Sequence, residues 1–290
     1  MSGVELALDA GVTCGESPVW VPEERSVYFT DIPGKAMHRY GPEGSTHRSW
    51  SMPEELCCFA VAERGGFVAG MRSGFAFLDL ASGAVDYIAR PEADRPDNRL
   101  NDGRCDRQGR FWAGSMHEPR TRFDGVLYRL DTDRRCTPMA GDVMVSNGLA
   151  WSPDSTVMYW SDSRNSKVYA FDFDPETGDV DGRRLFFETT PEQGRPDGAA
   201  VDAEGFYWSA CFMGSRILRI APDGTVDREI AMPVRDITMV CFGGDDLDTL
   251  YITTSKEALD EAERAQSPLA GALFVADPGV KGLTEPRYRG

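Results

Sequence analysis

Histidine is scarce in this chain. Its 290 residues include three, His38, His47 and His117. No two are spaced as a metal-binding pair, and no G-x-S-x-G elbow accompanies them. A histidine-rich metal centre and a Ser-His-Asp triad therefore both lack their parts. The seven cysteines are odd in number and include no C-x-x-C pair. That pattern argues against a disulfide framework or a zinc knuckle, and for a reducing, cytoplasmic setting. Positive charge is also short: 31 Lys and Arg face 47 Asp and Glu, a formal net charge of −16. Nucleic-acid binding needs a basic footprint, so no nucleic-acid partner is expected. No apolar run approaches the roughly 20 residues of a membrane span. The opening "MSGVELALDAG" has neither the basic start nor the apolar stretch of a secretory signal. Glycine-rich "GGFVAG" and "FGGDD" follow no strand-to-helix pattern, which excludes a phosphate loop.

What the chain does have is alternation with period two. "SVYFTD", "RFWAGSM", "VMYWSD", "KVYAFDF", "FYWSACF" and "TLYITT" are short strands rich in aromatic and β-branched residues. Turn chemistry separates them, as in "RQG", "SPDS", "DAEG" and "APDG". One run, residues 255–266 ("SKEALDEAERAQ"), reads equally as helix or loop. The strands recur in six groups, starting near Glu16, Cys57, Asn101, Ser146, Pro196 and Thr238. A period of about 40–50 residues with some four strands each is the mark of propeller blades. The expected fold is all-β, a six-bladed β-propeller forming one domain over residues 1–290. N-terminal "VELALD" is expected to pair with C-terminal "GALFVAD", because an open wheel would leave two bare sheet edges. Trp112, Trp160 and Trp208 read as occupants of corresponding positions that pack between blades.

A propeller brings the first strand of every blade to a central channel. Asp102–Gly103, Asn147–Gly148 and Asp197–Gly198 read as one recurring position, with Glu16 within one residue of it. Singly, Asn-Gly and Asp-Gly are turn dipeptides. Together, Glu16, Asn147 and Asp197 form an oxygen-only set suited to Ca²⁺, Mg²⁺ or Mn²⁺, and carboxylates also accept Zn²⁺. Arg99 and Asn101 flank Leu100 and point the same way, a donor–acceptor clamp for a polyhydroxylated ligand with a carbonyl. The alternative for Arg99 is an ion pair with an acid such as Asp97. His117 could reach the channel mouth or the surface.

The motifs "CGESPVW", "RLNDGRCDRQGRFWAGSM", "SNGLAWSPDSTVMYWSDS", "RPDGAAVDAEGFYWSACF" and "MPVRDITMVCFGG" resemble, in order, those of the gluconolactonase/regucalcin (SMP-30-like sugar lactone lactonase) family. The resemblance implies a six-bladed propeller holding one divalent metal ion, Ca²⁺ or Zn²⁺ before Mg²⁺, Mn²⁺ or Fe²⁺. It implies metal ligands at Glu16, Asn147 and Asp197, substrate contacts at Arg99 and Asn101, and Asp102 orienting them from behind. Some members place a further acid on the substrate after the "AGSM"-like stretch. Here "HEPR" has Pro119 in that place, leaving Glu118 as the nearest candidate. The implied reaction opens a sugar lactone to its aldonic acid, with Asp197 as general base beside the metal. A calcium-binding regulatory propeller and a broader esterase or organophosphate hydrolase are the alternatives. No feature fixes an oligomeric state, and a monomer is allowed.

Overall fold

A computed structural model describes residues 3–290. Met1 and Ser2, which open the segment read for a secretory signal, lie outside the described residues. Six four-stranded antiparallel sheets are present among the described residues. The inner strands are Gly15–Val21, Leu56–Val61, Asn98–Cys105, Ser146–Trp151, Arg195–Val201 and Asp236–Gly243. Five blades are built from consecutive strands. The sixth is completed by Val4–Leu8, which pairs antiparallel with Leu273–Ala276. The wheel thus closes as expected, with the first and last strands of the described chain paired in one sheet.

The core lies between blades. In each second strand one side chain packs on the following blade: Tyr28, Val68, Trp112, Tyr159, Trp208 and Tyr251. Aromatic pairs cross these seams, including Trp112–Trp151, Tyr159–Tyr207 and Trp208–Phe242, with ring centroids 5.9, 5.1 and 5.9 Å apart. Trp160 corrects the sequence reading. Tyr159 holds the position of Trp112 and Trp208, and Trp160 is its neighbour, turned back toward the third blade. Adjacent strand residues face opposite sides, so a one-residue offset reverses the partner blade.

The run 255–266 is half helical. Ser255 ends a strand, and the helix spans Glu261–Gln266, started by a reciprocal cap between Asp260 and Glu263. Among the described residues no helix is long and apolar enough to cross a membrane. The C-terminal segment crosses the wheel at the end where the inner strands finish. Gly282 donates to the Leu247 carbonyl and Tyr288 to the Val61 carbonyl, while Glu285 lies 3.2 Å from Arg104. Tyr288 is fully buried there. The opposite end, where the inner strands begin, holds the pocket described next.

Candidate functional site

Every inner strand slips register once, at the same level of the wheel. The shifts fall between Glu16 and Val19, Leu56 and Cys58, Leu100 and Gly103, Asn147 and Ala150, Pro196 and Ala199, and Ile237 and Met239. An extra residue in a strand bends it and re-aims the neighbouring side chains. Corresponding rungs are Val19–Tyr28, Ala60–Val68, Arg104–Trp112, Ala150–Tyr159, Ala200–Trp208 and Cys241–Tyr251. Three residues upstream of each rung stand Glu16, Cys57, Asn101, Asn147, Asp197 and Thr238. Asn101, rather than Asp102, therefore shares the position of Asn147 and Asp197. Glu16 occupies that position itself instead of falling one residue from it.

A solvent-open pocket gathers Glu16, Asn101, Asn147 and Asp197 from this ring. Two residues upstream, on the same strand face, Cys14, Arg99, Val145 and Arg195 form a second tier of its wall. Second strands contribute Ile32, Met116, Ser163 and Phe212 at their ends. Arg120, Arg164 and Glu257 complete the wall from loops. Cys57 and Thr238 do not line it; Thr238 instead donates to the Gly15 carbonyl at 2.5 Å.

Glu16 and Asp197 are each only 8% exposed. Glu16 accepts one hydrogen bond, from the Ser17 amide at 2.8 Å. Among the described residues the Asp197 carboxylate accepts none, and neither acid has an ion-pair partner within 4.0 Å. Burial, and then the charge of Asp102, pushes the Glu16 carboxyl up to about 8. Burial, and then Glu16, raises Asp197 well above the usual carboxylate range. Two buried acids that oppose each other's ionisation form a place where a proton or a cation is held tightly.

Amides link the ring. Asn101 donates from Nδ2 to the Ser146 carbonyl and to Asn147 Oδ1, both at 2.9 Å, and accepts from Arg99 at 2.7 Å. Asn147 donates to Ser163 Oγ at 2.8 Å, and Ser163 donates onward to the Pro196 carbonyl at 2.5 Å. This chain aims the Asn147 oxygen and leaves it one free lone pair. Asn101 thereby acts chiefly as a bracket between Arg99 and Asn147. Asp102 lies deeper, 3% exposed, accepting from the Leu149 amide at 3.2 Å. Its other oxygen is buried with no partner, and burial raises its pKa.

Glu118 does not line the pocket. Its carboxylate is gripped by both terminal nitrogens of Arg72, at 2.9 and 2.5 Å, and lies 3.5 Å from Arg99 Nε. Arg99 thus pairs with Glu118 and not with Asp97. His117 reaches neither the pocket nor the surface. It is 4% exposed, and its Nδ1 accepts from the Thr121 amide at 3.2 Å. His38 and His47 do meet, 3.0 Å apart across adjacent strands of the first blade, a diagonal contact that spacing along the chain does not reveal. All seven cysteines are free thiols. Burial drives Cys14 well up and lifts Cys57 to about 11, so neither offers a thiolate at neutral pH.

Sequence reasoning missed Cys14, Ser163, Arg120, Arg164 and Arg195. Arg195 had a signal: Arg195-Pro196-Asp197 repeats the spacing of Arg99-Leu100-Asn101, one tier above the ring. The loop residues Arg120 and Arg164 belong to no repeated strand and had none. Among the described residues no three His, Cys, Asp or Glu cluster as metal ligands. A cation bound here would need an amide oxygen beside the two carboxylates, and the oriented Asn147 oxygen supplies one.

The family described as the SMP-30/Gluconolactonase/LRE-like region matches residues 14–256. The chain is 46% identical over 277 residues to 6-deoxy-6-sulfogluconolactonase of Pseudomonas putida, covering 95% of each protein. It is 36% identical to regucalcin of Oryctolagus cuniculus, covering 99% of this chain and 98% of that protein. A solved structure of a calcium-binding protein, regucalcin from Agrobacterium tumefaciens, superposes with a TM-score of 0.95 at 26% identity, over 100% of this chain and 98% of that one. Full-length likeness to these propellers, on top of a polar ring at the mouth of the same wheel, makes this chain a member of the SMP-30/gluconolactonase/LRE-like family.

Proposed function

We propose that the protein hydrolyses a sugar lactone to the aldonic acid in the pocket around Glu16, Asn147 and Asp197. One observation carries the reading. Two buried carboxylates from blades far apart in sequence face one solvent-open pocket, and among the described residues neither has an ion-pair partner within 4.0 Å. The name of the Pseudomonas putida relative supports a lactone as substrate. Glu16, Asn147 and Asp197 would hold a divalent cation, since their oxygens are hard donors whose repulsion a cation relieves. When bound, that ion supplies Lewis acidity for a carbonyl and lowers the pKa of water.

The chain's own residues then do the following. Asp197, uncommitted to any hydrogen bond among the described residues, takes the proton of the attacking water. The water oxygen bonds to the lactone carbonyl carbon, the bond from that carbon to the ring oxygen breaks, and the proton passes from Asp197 to the ring oxygen. Arg99, fixed by Glu118 and Asn101, presents its guanidinium to hydroxyl or carbonyl oxygens of the substrate. Seven free thiols agree with action in a reducing cytoplasm.

The test is proton release from gluconolactone, galactonolactone, arabinonolactone and xylonolactone, before and after chelation, with elemental analysis of the purified protein. Metal-dependent opening of at least one lactone is expected, with activity returning when the ion is restored. Bound metal without proton release from any lactone would instead favour the regulator, a reading that the calcium-binding relative keeps open.

A pH effect follows for the cation-free protein. The folded pKa of Glu16, about 8, lies above its ordinary value of 4.5, so folding favours the protonated form. That contribution is fully present below pH 4.5 and is lost as pH rises through about 8. Thermal melts should therefore show the cation-free protein losing stability between pH 5 and pH 8, by on the order of a few kcal/mol. Added divalent cation should raise Tm more at pH 8 than at pH 5. A cation-free melt that is flat across this range, or parallel in Glu16→Gln, would contradict the assignment.

A further inference from the structure

Three arginines stand at the pocket without partners. Arg120, Arg164 and Arg195 all line it. Among the described residues no carboxylate lies within 4.0 Å of their guanidinium groups, and none of the three side chains donates a hydrogen bond or stacks on an aromatic ring. Most other arginines are engaged, Arg107 being an exception whose buried Nε has no partner among the described residues. Arg99 and Arg72 share Glu118, Arg219 pairs with Asp202, Glu204 and Asp227, and Arg183 lies over Tyr169. The unpaired trio is the odder because acids outnumber bases 47 to 31 in the chain. The three charges also oppose one another. Arg195 is held below the usual arginine value by partial burial and then by Arg164 and Arg120. Positive groups left to repel in a cleft favour an anion, and guanidinium forks match tetrahedral oxyanions in geometry and charge.

The trio's place in the wall sets what it can hold. Arg195 sits in the tier above Asp197, while Arg120 and Arg164 come from loops beyond the second strands, at the pocket's outer side. The carboxylates lie further in. A substrate with its carbonyl at the carboxylates would point its far end at these arginines. The group of a hexonolactone that can extend furthest out of the ring toward them is the substituent on the exocyclic carbon 6.

We propose that Arg120, Arg164 and Arg195 form an anion subsite that selects sugar lactones carrying a tetrahedral oxyanion group, sulfonate or phosphate, on the exocyclic carbon. The inference rests on the lactonase reading of the same pocket and adds its substrate class. Contacts at carbon 6 lie away from the reacting carbonyl, so they act on binding and appear in KM.

The experiment compares kcat/KM for 6-deoxy-6-sulfogluconolactone, 6-phosphogluconolactone and gluconolactone, in the wild type and in Arg164→Gln/Arg195→Gln. At least one charged lactone should exceed gluconolactone by roughly tenfold or more, the gain of one or two charge-assisted contacts. The preferred lactone identifies which oxyanion the subsite takes. In the double variant that ratio should fall by about the same factor, through KM, and rising salt should erode it in the wild type. Equal kcat/KM for all three lactones, or a ratio unmoved by the double substitution, would overturn the subsite while leaving the lactonase reading intact.

A second readout separates the two ideas if no lactone is opened. Calorimetric titration with 6-deoxy-6-sulfogluconate, 6-phosphogluconate and gluconate compares acids that differ only at carbon 6. Tighter binding of an acid that carries the carbon-6 sulfonate or phosphate, lost in the double variant, supports the subsite even where hydrolysis fails. Equal binding of all three acids would dismiss it. The substituted side chains make no protein contacts that folding depends on, and unchanged circular dichroism and Tm of the double variant check this.

Discussion

Asp197→Ala should lower kcat for lactone hydrolysis by about 10³-fold or more, the scale of losing a positioned base. The fold should survive, because the carboxylate accepts no hydrogen bond among the described residues and its loss leaves no protein donor stranded. Removing it also relieves Glu16, whose charge opposes that of Asp197. The cation-free variant should therefore melt at or above the wild-type temperature at pH 8, while the cation raises its Tm less than it raises that of the wild type. This combination, inactive but no less stable, is what a purely structural aspartate would not give. Asn147→Ala should also lose nearly all activity, but at a cost in stability, because Ser163 Oγ and Asn101 Nδ2 each lose a partner. Steady-state kinetics and melts on the two variants decide it. Wild-type-like turnover in both would refute the assignment of the site.

Much of the wheel is legible in the sequence because each blade must repeat the same burial problem. Period-two runs, turn dipeptides and recurring aromatics are set by local geometry, and they mark the six inner strands and the closing strand pair. The errors come from register. Glycine follows the ring residue directly at Asn147-Gly148 and Asp197-Gly198, but one place later at Asn101-Asp102-Gly103. Aligning on glycine therefore put Asp102 in the ring and shifted Glu16, and only the ladder pairing around each bulge restores both. Trp160 was misplaced by the same one-residue ambiguity. Contacts made across strands or between loops leave no trace along the chain. His38 meets His47 diagonally, Glu118 reaches back to Arg72, and Arg164 joins Arg120 at the pocket from another blade.

The largest stability loss should come from Asp202→Ala, at the end of the wheel away from the pocket. Asp202 is fully buried in the turn after the fifth inner strand. One oxygen accepts from the Glu204 and Phe206 amides at 2.9 and 3.0 Å, which closes the turn. The other accepts from Trp208 Nε1 and Arg219 Nε, both at 2.8 Å. One carboxylate thus fixes a turn, a tryptophan of the blade seam and a guanidinium that is itself 3% exposed. The third blade repeats the device. Asp106 accepts from the Gln108 and Arg110 amides, from Trp112 Nε1 at 2.9 Å and from Arg110 Nε at 2.6 Å. Truncation to alanine strands two buried side-chain donors and two partly buried turn amides at once. The expected cost is about 3–5 kcal/mol, the range for breaking a buried ion pair from one side. Asp202→Asn keeps the shape and two acceptor sites but removes the charge, so it should cost less. Urea unfolding of both variants measures the difference, and turnover of the folded fraction should stay near wild type because the pocket is at the other end. A loss below about 1 kcal/mol in Asp202→Ala would mean that Glu204 and Asp227 satisfy Arg219 without it, and that the turn closes on backbone bonds alone.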